Sequence, residues 1–461
     1  MNQIILQIAR KMVVQIEEKI IEKELNIEES MPELVKITQG AALEMYHELI
    51  EQADAAIKAA KQDRKQEGLV VERNQDPRTV ITSIGDLTFG RTYYWNNGKG
   101  CYEYPVDRLL GIERYERIEP GLTKGLVSCA RTRSYRDSSQ RKCKGSVSAQ
   151  TVMNKIRKVE PVIRKCEEKR KVPYLHIDAD EDHVALQRSK YRKSTEVPLV
   201  SIYEGTEAVG KRKRCKEVFH ISEYGKSTEE LWEEVLERIE QKYDLEDTKI
   251  YVHGDGARWI KEALDWLPKS RFVLDPYHKN KYVTEVVAGC DAEERQMLRT
   301  AIQNALENEN TAYFTKAIQY ALEKHPEREE AIINAATYLL NQMEGVSIRK
   351  QDPEACNGGA SEPHVSHILS DRLSSRPKGW SKETLKYFAP ILANGSEVQL
   401  IRKQQPELTL LQKKAVKKVK KKFNPGIPSE IRPIFLETGK LNGWYKLFHS
   451  LIYDDSCILH Q

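Results

Sequence analysis

Apolar residues recur at a helical period through the N-terminal part of the chain. Ile4, Ile8 and Met12 follow one another at four-residue intervals, the spacing of one face of an amphipathic helix. Residues 32–66 are rich in Ala, Glu, Lys and Leu and predict a second helix. We therefore predict a helical arm over residues 1–75.

The pattern changes to short strands after this arm. β-Branched and aromatic residues dominate residues 79–104, and Gly85-Asp86 and Asn96-Asn97-Gly98 interrupt them as turns. The strands are expected near residues 79–84, 87–95 and 101–104. We predict a small β-meander over residues 76–117.

Residues 118–172 return to a helical pattern that contains a tight turn. Two short helices are expected near residues 123–132 and 136–143, after which Gly145 interrupts the chain and Ser148 caps a third helix. This order is typical of a DNA-binding helix-turn-helix unit.

The third helix, residues 149–156, carries several polar side chains. In a helix-turn-helix unit it would present Gln150, Asn154 and Lys155 to the bases of a major groove. A three-helix packing without any DNA contact explains the same pattern equally well.

Residues 173–283 alternate strands and helices. Three strands come first, followed by a helix that the capping-box sequence Ser227-Thr228-Glu229-Glu230 opens, and then by two more strands, each with a helix after it. The strands are expected near residues 174–180, 198–205, 217–224, 249–253 and 271–274. This order predicts an α/β fold whose core is an RNase H-like mixed sheet with helices on both faces.

The core is interrupted in the sequence. Residues 284–357 are helical in pattern and carry no recognisable chemistry, so we predict an all-helical insertion. The core is expected to resume over residues 358–400 and to be followed by a basic C-terminal tail over residues 401–461.

Composition favours a globular protein that works inside the cell. Of the 461 residues, 31% are charged and 39% are hydrophobic, no apolar run reaches the ~18 residues of a membrane helix, and the N-terminus lacks a signal-peptide pattern. The eight cysteines form no CxxC pair and are expected to be free thiols. We expect a cytoplasmic, nucleoid-associated protein with no membrane partner.

Basic residues are concentrated in two segments, although the net charge is only +5. Nine lie between Arg402 and Lys422 and six lie between Arg131 and Lys144, each set against a single acid. Such segments attract phosphate backbones, although a solvated helix face has the same composition.

Acidic residues follow the first and fourth predicted strands. Cleavage of a phosphodiester uses two divalent cations held by carboxylate oxygens, and an α/β sheet gathers such groups at the carboxyl ends of its strands. Asp180 lies in the acidic run that begins at Asp178, and Asp255 lies between two glycines. Asp178 shares the strand parity of Asp180 and is the alternative first acid. An exposed acidic turn and an ordinary Gly-Asp-Gly turn are the structural alternatives.

Glu362 begins a predicted helix after the insertion, and Pro363 suits the first turn of that helix. A carboxylate on this helix is where an RNase H-like core needs its third acid, whereas alone it would only complement the helix dipole. Asp275 and His278, which follow the fifth strand, are expected to brace the site.

Basic and aromatic residues close to these acids are candidate DNA contacts. Arg258 follows Asp255 closely, and Arg372, Arg376 and Trp380 follow Glu362. The arginines would hold phosphates and Trp380 would stack on an unpaired base. A packed tryptophan and a solvated loop are the alternative interpretation.

Three blocks of this chain together resemble the bacterial insertion-sequence transposases of the ISLre family. They are residues 177–184, 254–260 and 362–380, and the resemblance extends from about residue 79 to residue 394. The group is similar to the Mutator-like DDE transposases, which place a helical insertion between the fifth strand and the last catalytic helix. Mutator-like members carry a Cys-x-x-His pair near the fifth strand, where this chain has Asp275-Pro276-Tyr277-His278.

The resemblance implies a transposase that cuts and joins DNA. Asp180, Asp255 and Glu362 would be catalytic and would bind two Mg²⁺ or Mn²⁺ ions. The partners would be double-stranded DNA with terminal inverted repeats and target DNA, and we expect a homo-oligomer. A catalytically inactive, transposase-derived DNA-binding protein is the main alternative, and an interaction protein that uses its helices is a second.

Overall fold

The computed structural model describes most of the chain, in two compact units. One unit comprises the described residues within 1–123, 142–146 and 407–423, and the other comprises those within 124–141 and 147–401. The described residues are 3–23, 26–164, 166, 168–188, 193–210, 212–376, 378–395, 397–401 and 407–423.

The first unit combines helices with a three-stranded antiparallel sheet. Its elements up to residue 109 are α1 (Gln3–Glu22), α2 (Ile27–Ala59), α3 (Lys61–Gln66), β1 (Leu69–Thr82), β2 (Gly85–Asn96), β3 (Cys101–Glu103) and α4 (Pro105–Leu109). The strands lie in the order β1-β2-β3. The sheet therefore has the three strands expected of the meander, but β1 begins at Leu69 rather than near residue 79.

Helix α2 and the sheet hold each other in place. Asn26 caps α2, because its side chain accepts hydrogen bonds from the first-turn amides. Asp54 of α2 is buried and accepts a 3.1 Å hydrogen bond from the backbone amide of Thr92 in β2. Ile50 packs beneath the sheet with Phe89, so the meander is covered on one face by the helical arm.

The second unit is a mixed α/β body. Its helices are α5 (Pro120–Ala130), α6 (Tyr135–Cys143), α7 (Ala149–Ile156), α8 (Thr228–Lys242), α9 (Arg258–Lys261), α10 (Ala263–Trp266), α11 (Pro276–Val287), α12 (Ala292–Glu307), α13 (Thr311–Lys324), α14 (Glu329–Asn341), α15 (Met343–Gln351), α16 (Ser361–Val365), α17 (Asp371–Leu373) and α18 (Lys382–Ala393). Its strands are β4 (Val159–Pro161), β5 (Arg170–Lys171), β6 (Tyr174–Ala185), β7 (Ser194–Tyr203), β8 (Thr206–Val209), β9 (Arg212–Cys215), β10 (Phe219–Ile221), β11 (Tyr243–Asp244), β12 (Lys249–Gly254), β13 (Ser270–Leu274) and β14 (Val398–Leu400).

A five-stranded sheet forms the centre of this unit, in the order β10-β7-β6-β12-β13. The three strands that come first in the chain are antiparallel neighbours, while β12 and β13 run parallel to β6. The five strands predicted from the sequence are these five, and the short β8–β9 hairpin projects between β7 and β10.

The core of the second unit lies between the sheet and the helices that follow it. Leu175 and Ile177 of β6 are fully buried against Trp232 and Val235 of α8. Both members of the predicted capping box that opens α8 form their hydrogen bonds. The hydrophobic period of α8 thus faces the alternating apolar positions of β6, which fixes the helix on one face of the sheet.

The predicted insertion is built from helices α12 to α15, and it shares the core of the sheet. Ile302, Phe314, Ile332 and Leu339 belong to the same buried cluster as the sheet residues. The insertion is therefore packed into the α/β body through its apolar face rather than standing apart from it.

One helix of the predicted C-terminal tail is described. Helix α19 (Leu410–Phe423) returns to the first unit, where Leu411 and Ala415 are buried beside Ile57 of α2. The remainder of the predicted tail, residues 402–406 and 424–461, lies outside the described residues. Across the described part of the chain, no helix is both long and apolar enough to cross a bilayer.

Two leucines in the second unit test this account of the core. Leu231→Ala in α8, where the side chain is 3% exposed, is expected to lower the free energy of unfolding by roughly 2–5 kcal/mol, because it leaves a cavity. Leu264→Ala in α10, where the side chain is 38% exposed, is the matched control and should change it by less than about 1 kcal/mol. Urea denaturation followed by tryptophan fluorescence measures both, and equal losses would contradict the assignment.

Candidate active site

Three carboxylates lie side by side just beyond the last paired residues of the central parallel strands. The sequence placed Asp180 at the end of its strand, but β6 continues past it to Ala185, paired with β7. The registered pair His253↔Asp178 joins β12 to β6, and the pair Gly254↔Leu274 joins β12 to β13. Two residues beyond the first pair, Asp255 lies beside Asp180. One residue beyond the second pair, Asp255 lies beside Asp275. We call Asp180, Asp255 and Asp275 the carboxylate row.

Charge repulsion within the row is visible in Asp180. Burial, together with the nearby carboxylates of Asp255, Glu181 and Asp275, raises the pKa of the Asp180 carboxyl to about 7. A divalent cation bound to these oxygens would remove that unfavourable interaction. Carboxylate oxygens are the ligands that Mg²⁺ and Mn²⁺ prefer, so the donor set fits a hard cation.

Asp180 and Asp255 keep most of their oxygen lone pairs available. Within the described residues, each accepts one hydrogen bond: Asp180 Oδ1 from the amide of Glu181 at 2.9 Å, and Asp255 Oδ1 from the amide of Ala257 at 2.8 Å. Both are bonds within a local turn, and they orient the side chain without saturating it. These two carboxylates are therefore suited to binding a ligand.

Asp178, the alternative first acid, has a different environment. Its carboxylate is fully buried and accepts hydrogen bonds from the hydroxyl of Tyr203 and from the amides of Gly359 and Ala360, at 2.9–3.1 Å. Burial raises the pKa of Asp178 to about 7. Because its oxygens are occupied, Asp178 holds the loop before α16 against the sheet, and the geometry favours Asp180 as the first acid.

Asp275 links the fifth strand to the same loop. It is 3% exposed, its Oδ1 caps α11 through the amide of Tyr277 at 2.7 Å, and its Oδ2 accepts a 2.7 Å hydrogen bond from the hydroxyl of Ser361. Ser361 immediately precedes Glu362. The position of Asp275 agrees with the bracing role expected from the sequence.

Glu362 is an exposed residue in the first turn of α16. The backbone just before it is fixed to Asp178 and Asp275, so the start of α16 lies at the same edge of the sheet as the carboxylate row. Gly358 permits this approach, because a Cβ atom there would lie 2.1 Å from Nε2 of His253. The start of the Glu362 helix, 107 residues beyond Asp255 in the chain, is thereby held at this edge of the sheet. Among the described residues, the Glu362 oxygens and those of the carboxylate row do not form a group of three within 4.8 Å of one another.

His278 does not contact the row. It lies in α11 with its ring edge against Tyr277, and its buried Nδ1 has no hydrogen-bond partner among the described residues. Its predicted role in bracing the site has no contact to support it.

Several residues that hold the site escaped the sequence analysis. The hydroxyl of Tyr338 in α14 donates a hydrogen bond to the backbone oxygen of Asp255, and Gln342 packs so closely on Gly256 that a Cβ atom there would lie 2.4 Å from it. Trp259 donates a 2.7 Å hydrogen bond to Glu181. Tyr338 and Gln342 lie in a stretch of ordinary helical pattern, which gave no signal of their distant partners.

Gln150 and Asn154 of the predicted recognition helix are exposed, but Lys155 is not. Helix α7 is capped by Ser148 as expected, and Gln150 donates a 3.3 Å hydrogen bond to Asn154 on its outer face. Lys155 is only 8% exposed and lies on the inner face. Its burial is at odds with a base contact, because an i, i+5 spacing from Gln150 turns it to the other side of the helix.

Arg258 and Arg376 lie on the surface. The Arg258 side chain is 94% exposed and forms an ion pair with Glu262 at 2.9 Å, and Arg376 is exposed in the loop after α17. Both positions are open to a phosphate.

Arg372 and Trp380 are buried, which is at odds with the DNA contacts expected of them. Arg372 donates a 2.7 Å hydrogen bond to the backbone oxygen of Ala130, and its guanidinium carbon lies 4.8 Å from the centre of the Trp380 ring. The Trp380 ring nitrogen donates to the backbone oxygen of Leu373 at 2.8 Å. A buried arginine on an aromatic face is a packing interaction, as the alternative interpretation of this segment holds.

The chain is similar to a set of bacterial proteins. The model of the uncharacterised protein family UPF0236 matches residues 20–407. A UPF0236 protein of Caldanaerobacter subterraneus subsp. tengcongensis, whose name joins eleven locus designations, is 37% identical over 95% of this chain and 94% of its own length. A second from that organism is 37% identical over 96% of each chain. The UPF0236 protein in the vanSb 3′ region of Streptococcus gallolyticus is 23% identical over 79% of this chain and 82% of its own length.

Asp180 and Asp178 are expected to respond in opposite ways to replacement by asparagine. The folded pKa of Asp180 lies above the ordinary value of about 4, so its ionisation destabilises the fold as pH rises from about 4 to 7. Asp180→Asn should therefore be more stable than the wild type near pH 8 in a metal chelator, by on the order of 1 kcal/mol, with the difference shrinking towards pH 5. Chemical denaturation at the two pH values measures it.

Asp178→Asn is the matched comparison. Burial also raises the pKa of Asp178 to about 7, so the comparison is made at pH 5, where ionisation of either carboxyl contributes little. An asparagine amide cannot accept all the hydrogen bonds that the Asp178 side chain accepts, so at pH 5 this variant should lose roughly 1–3 kcal/mol of stability. Stabilisation by Asp178→Asn at pH 5, or none by Asp180→Asn near pH 8, would contradict the roles assigned to the two acids.

Arg372 and Arg376 form a second pair that separates packing from DNA contact. Arg372→Ala is expected to lower the free energy of unfolding by roughly 1–3 kcal/mol, whereas Arg376→Ala should change it by less than about 0.5 kcal/mol. If Arg376 contacts a phosphate, its loss lowers the slope of log affinity against log salt by about 1. Chemical denaturation and DNA binding at several salt concentrations distinguish packing from DNA contact. If Arg372→Ala leaves the stability unchanged, Arg372 is again a candidate for DNA contact.

Proposed function

We propose that this chain, which belongs to the uncharacterised protein family UPF0236, is a DNA transposase of the DDE type. The observation that carries the proposal is the carboxylate row, in which Asp180 and Asp255 share the edge of the sheet to which the start of the Glu362 helix is tied. A carboxyl with a raised pKa beside other acids at the edge of an α/β sheet is typical of catalytic sites. The same residues were singled out by their resemblance to the ISLre transposases.

The topology of the second unit supports an RNase H-like core. Its sheet places the third, second, first, fourth and fifth strands of this region side by side in that order, with the last two parallel to the first. The sequence predicted a mixed sheet and the succession of strands and helices along the chain, and this arrangement is compatible with both. A helical insertion follows β13 and precedes α16, as in the Mutator-like transposases that the sequence resembles.

Asp180, Asp255 and Glu362 would hold two Mg²⁺ or Mn²⁺ ions. When bound, such ions activate the attacking oxygen and stabilise the leaving oxygen of the phosphodiester. Asp178 and Asp275 position the loop that carries Glu362, and Tyr338 holds the backbone at Asp255. These contacts reduce the freedom of the three acids, which is what positioning of a reacting phosphate requires.

Double-stranded DNA with terminal inverted repeats and target DNA are the substrates we propose. The exposed Arg258 and Arg376 lie close in sequence to Asp255 and Glu362 and would contact phosphates. The exposed Gln150 and Asn154 of α7 would contact base edges. A mobile element occurs at many places in a genome, and the relative whose name joins eleven locus designations of one strain is consistent with that. Homo-oligomers would bring two element ends together.

Metal-dependent cleavage and joining of DNA that carries the element's own ends tests the proposal. The wild-type chain is expected to cleave in Mg²⁺ or Mn²⁺, and Asp255→Ala, Asp180→Asn and Glu362→Gln should each lose at least about 10³-fold in rate, because several kcal/mol of transition-state stabilisation depend on the ions. Asp265→Asn, an exposed acid in α10, is the matched control and should retain activity.

DNA binding measured in parallel separates the alternatives. Asp255→Ala should fold and still bind DNA. Salt-dependent binding without cleavage by any variant would favour the inactive, transposase-derived DNA-binding protein. If the chain neither binds nor cleaves DNA, the proposal is overturned. The interaction protein then becomes the favoured alternative.

A further inference from the structure

A cysteine, a glutamate and a histidine converge at the start of the helical insertion. Cys290 lies in the turn between α11 and α12, Glu294 in the first turn of α12, and His325 immediately after α13. Their ligand atoms all lie within 4.8 Å of one another. The three residues come from two chain segments that are separated by the whole α12–α13 hairpin.

The geometry of the group suits a tetrahedral metal ion. Sγ of Cys290 lies 3.5 Å from Nε2 of His325, and this nitrogen lies 3.9 Å from Oε2 of Glu294. A tetrahedral Zn²⁺ ion with bonds of about 2.3 Å to sulfur and about 2.0 Å to nitrogen separates those two ligands by roughly 3.5 Å. Tetrahedral nitrogen and oxygen ligands with bonds of about 2.0 Å are roughly 3.3 Å apart, so Glu294 must move about 0.6 Å towards His325 to supply the third ligand.

Neighbouring residues orient these ligands as they do in metal sites. Oε1 of Glu327 lies 3.4 Å from Nδ1 of His325, which directs Nε2 of the ring towards Cys290. The hydroxyl of Tyr320 donates a 2.9 Å hydrogen bond to Oε1 of Glu294 and leaves Oε2 facing His325. A carboxylate on the far nitrogen of a ligating histidine, and a hydrogen bond on the far oxygen of a ligating carboxylate, are the usual outer contacts of a bound metal.

The packing around the group brings these segments close together while leaving access to solvent. Gly289 has a left-handed φ of +99°, and a Cβ atom there would lie 3.5 Å from Nδ1 of His325. Cys290 is 3% exposed, whereas the side chains of Glu294 and His325 are each 17% exposed. A water molecule can therefore reach the fourth position.

We propose that Cys290, Glu294 and His325 bind a Zn²⁺ ion, with water as the fourth ligand. Sulfur, imidazole nitrogen and one carboxylate oxygen are a borderline-soft donor set, which selects Zn²⁺ over the hard cations suited to the carboxylate row. On binding, the Cys290 thiol releases its proton to solvent and the thiolate sulfur bonds to the metal. The ion fastens the start of α12 to the end of α13 and so stabilises the insertion. The inference is independent of the proposed transposase activity.

Cobalt substitution in the full chain tests the site directly. The chain is freed of metal with a chelator and titrated with Co²⁺, and one equivalent is expected to give thiolate-to-cobalt charge-transfer absorption together with the visible bands of a tetrahedral site. Zn²⁺ should abolish both spectra by displacement, and Mg²⁺ should not. Asp255→Ala should keep the cobalt spectrum, which separates this site from the carboxylate row.

Variants decide between a metal site and a simple hydrogen-bonded triad. Cys290→Ser should lose the charge-transfer absorption, while Cys101→Ser, which removes an exposed thiol from the first unit, should retain it. Glu294→Gln keeps the thiol and should weaken Zn²⁺ binding at least about 10-fold, so it decides the question if circular dichroism shows that Cys290→Ser is unfolded. Absence of the charge-transfer band from the wild-type chain, its persistence in folded Cys290→Ser, or unchanged affinity in Glu294→Gln would overturn the proposal.

Discussion

The second unit depends on one constraint, which is that several carboxyl groups lie close together in a partly buried part of the fold. Asp180 lies in β6, Asp255 and Asp275 directly follow the neighbouring strands β12 and β13, and burial with mutual repulsion raises the pKa of Asp180 to about 7. Apolar residues at these positions would give a more stable sheet. Proteins retain strain of this kind chiefly at functional sites, and here a bound cation would convert the repulsion into coordination.

The acids divide into those that build the site and those left open to a ligand. Asp178 accepts hydrogen bonds from the amides of Gly359 and Ala360, and Asp275 accepts one from Ser361, so both act as anchors between the sheet and α16. Asp180 and Asp255 accept one local hydrogen bond each within the described residues. These aspartates have the same side chain but different hydrogen-bond partners. That difference separates the structural carboxylates from the candidate catalytic ones.

The local signals of the sequence predicted the elements of the core well. The five sheet strands, the capping box at Ser227 and the cap at Ser148 are all formed, because alternation, helical period and capping act within a few residues. Long-range packing was not predictable in the same way. Neither the hydrogen bond from Arg372 to Ala130 nor the one from Tyr338 to Asp255 has a local signature, because both join segments far apart in the chain.

The helical insertion has a physical connection to the proposed site that its plain sequence does not suggest. Tyr338 of α14 holds the backbone of Asp255, and its ring stacks on Tyr282 of α11 with the ring centres 3.8 Å apart. Asp275 caps the N-terminus of α11, and Cys290 lies three residues after Val287, the last residue of that helix. Helix α11 thus connects a residue in contact with Tyr338, which holds Asp255, to the segment that carries Cys290. A Zn²⁺ ion bound at the cysteine, glutamate and histidine group would restrain the segment that follows the C-terminus of α11. The carboxylates before its N-terminus would select a hard cation such as Mg²⁺ instead.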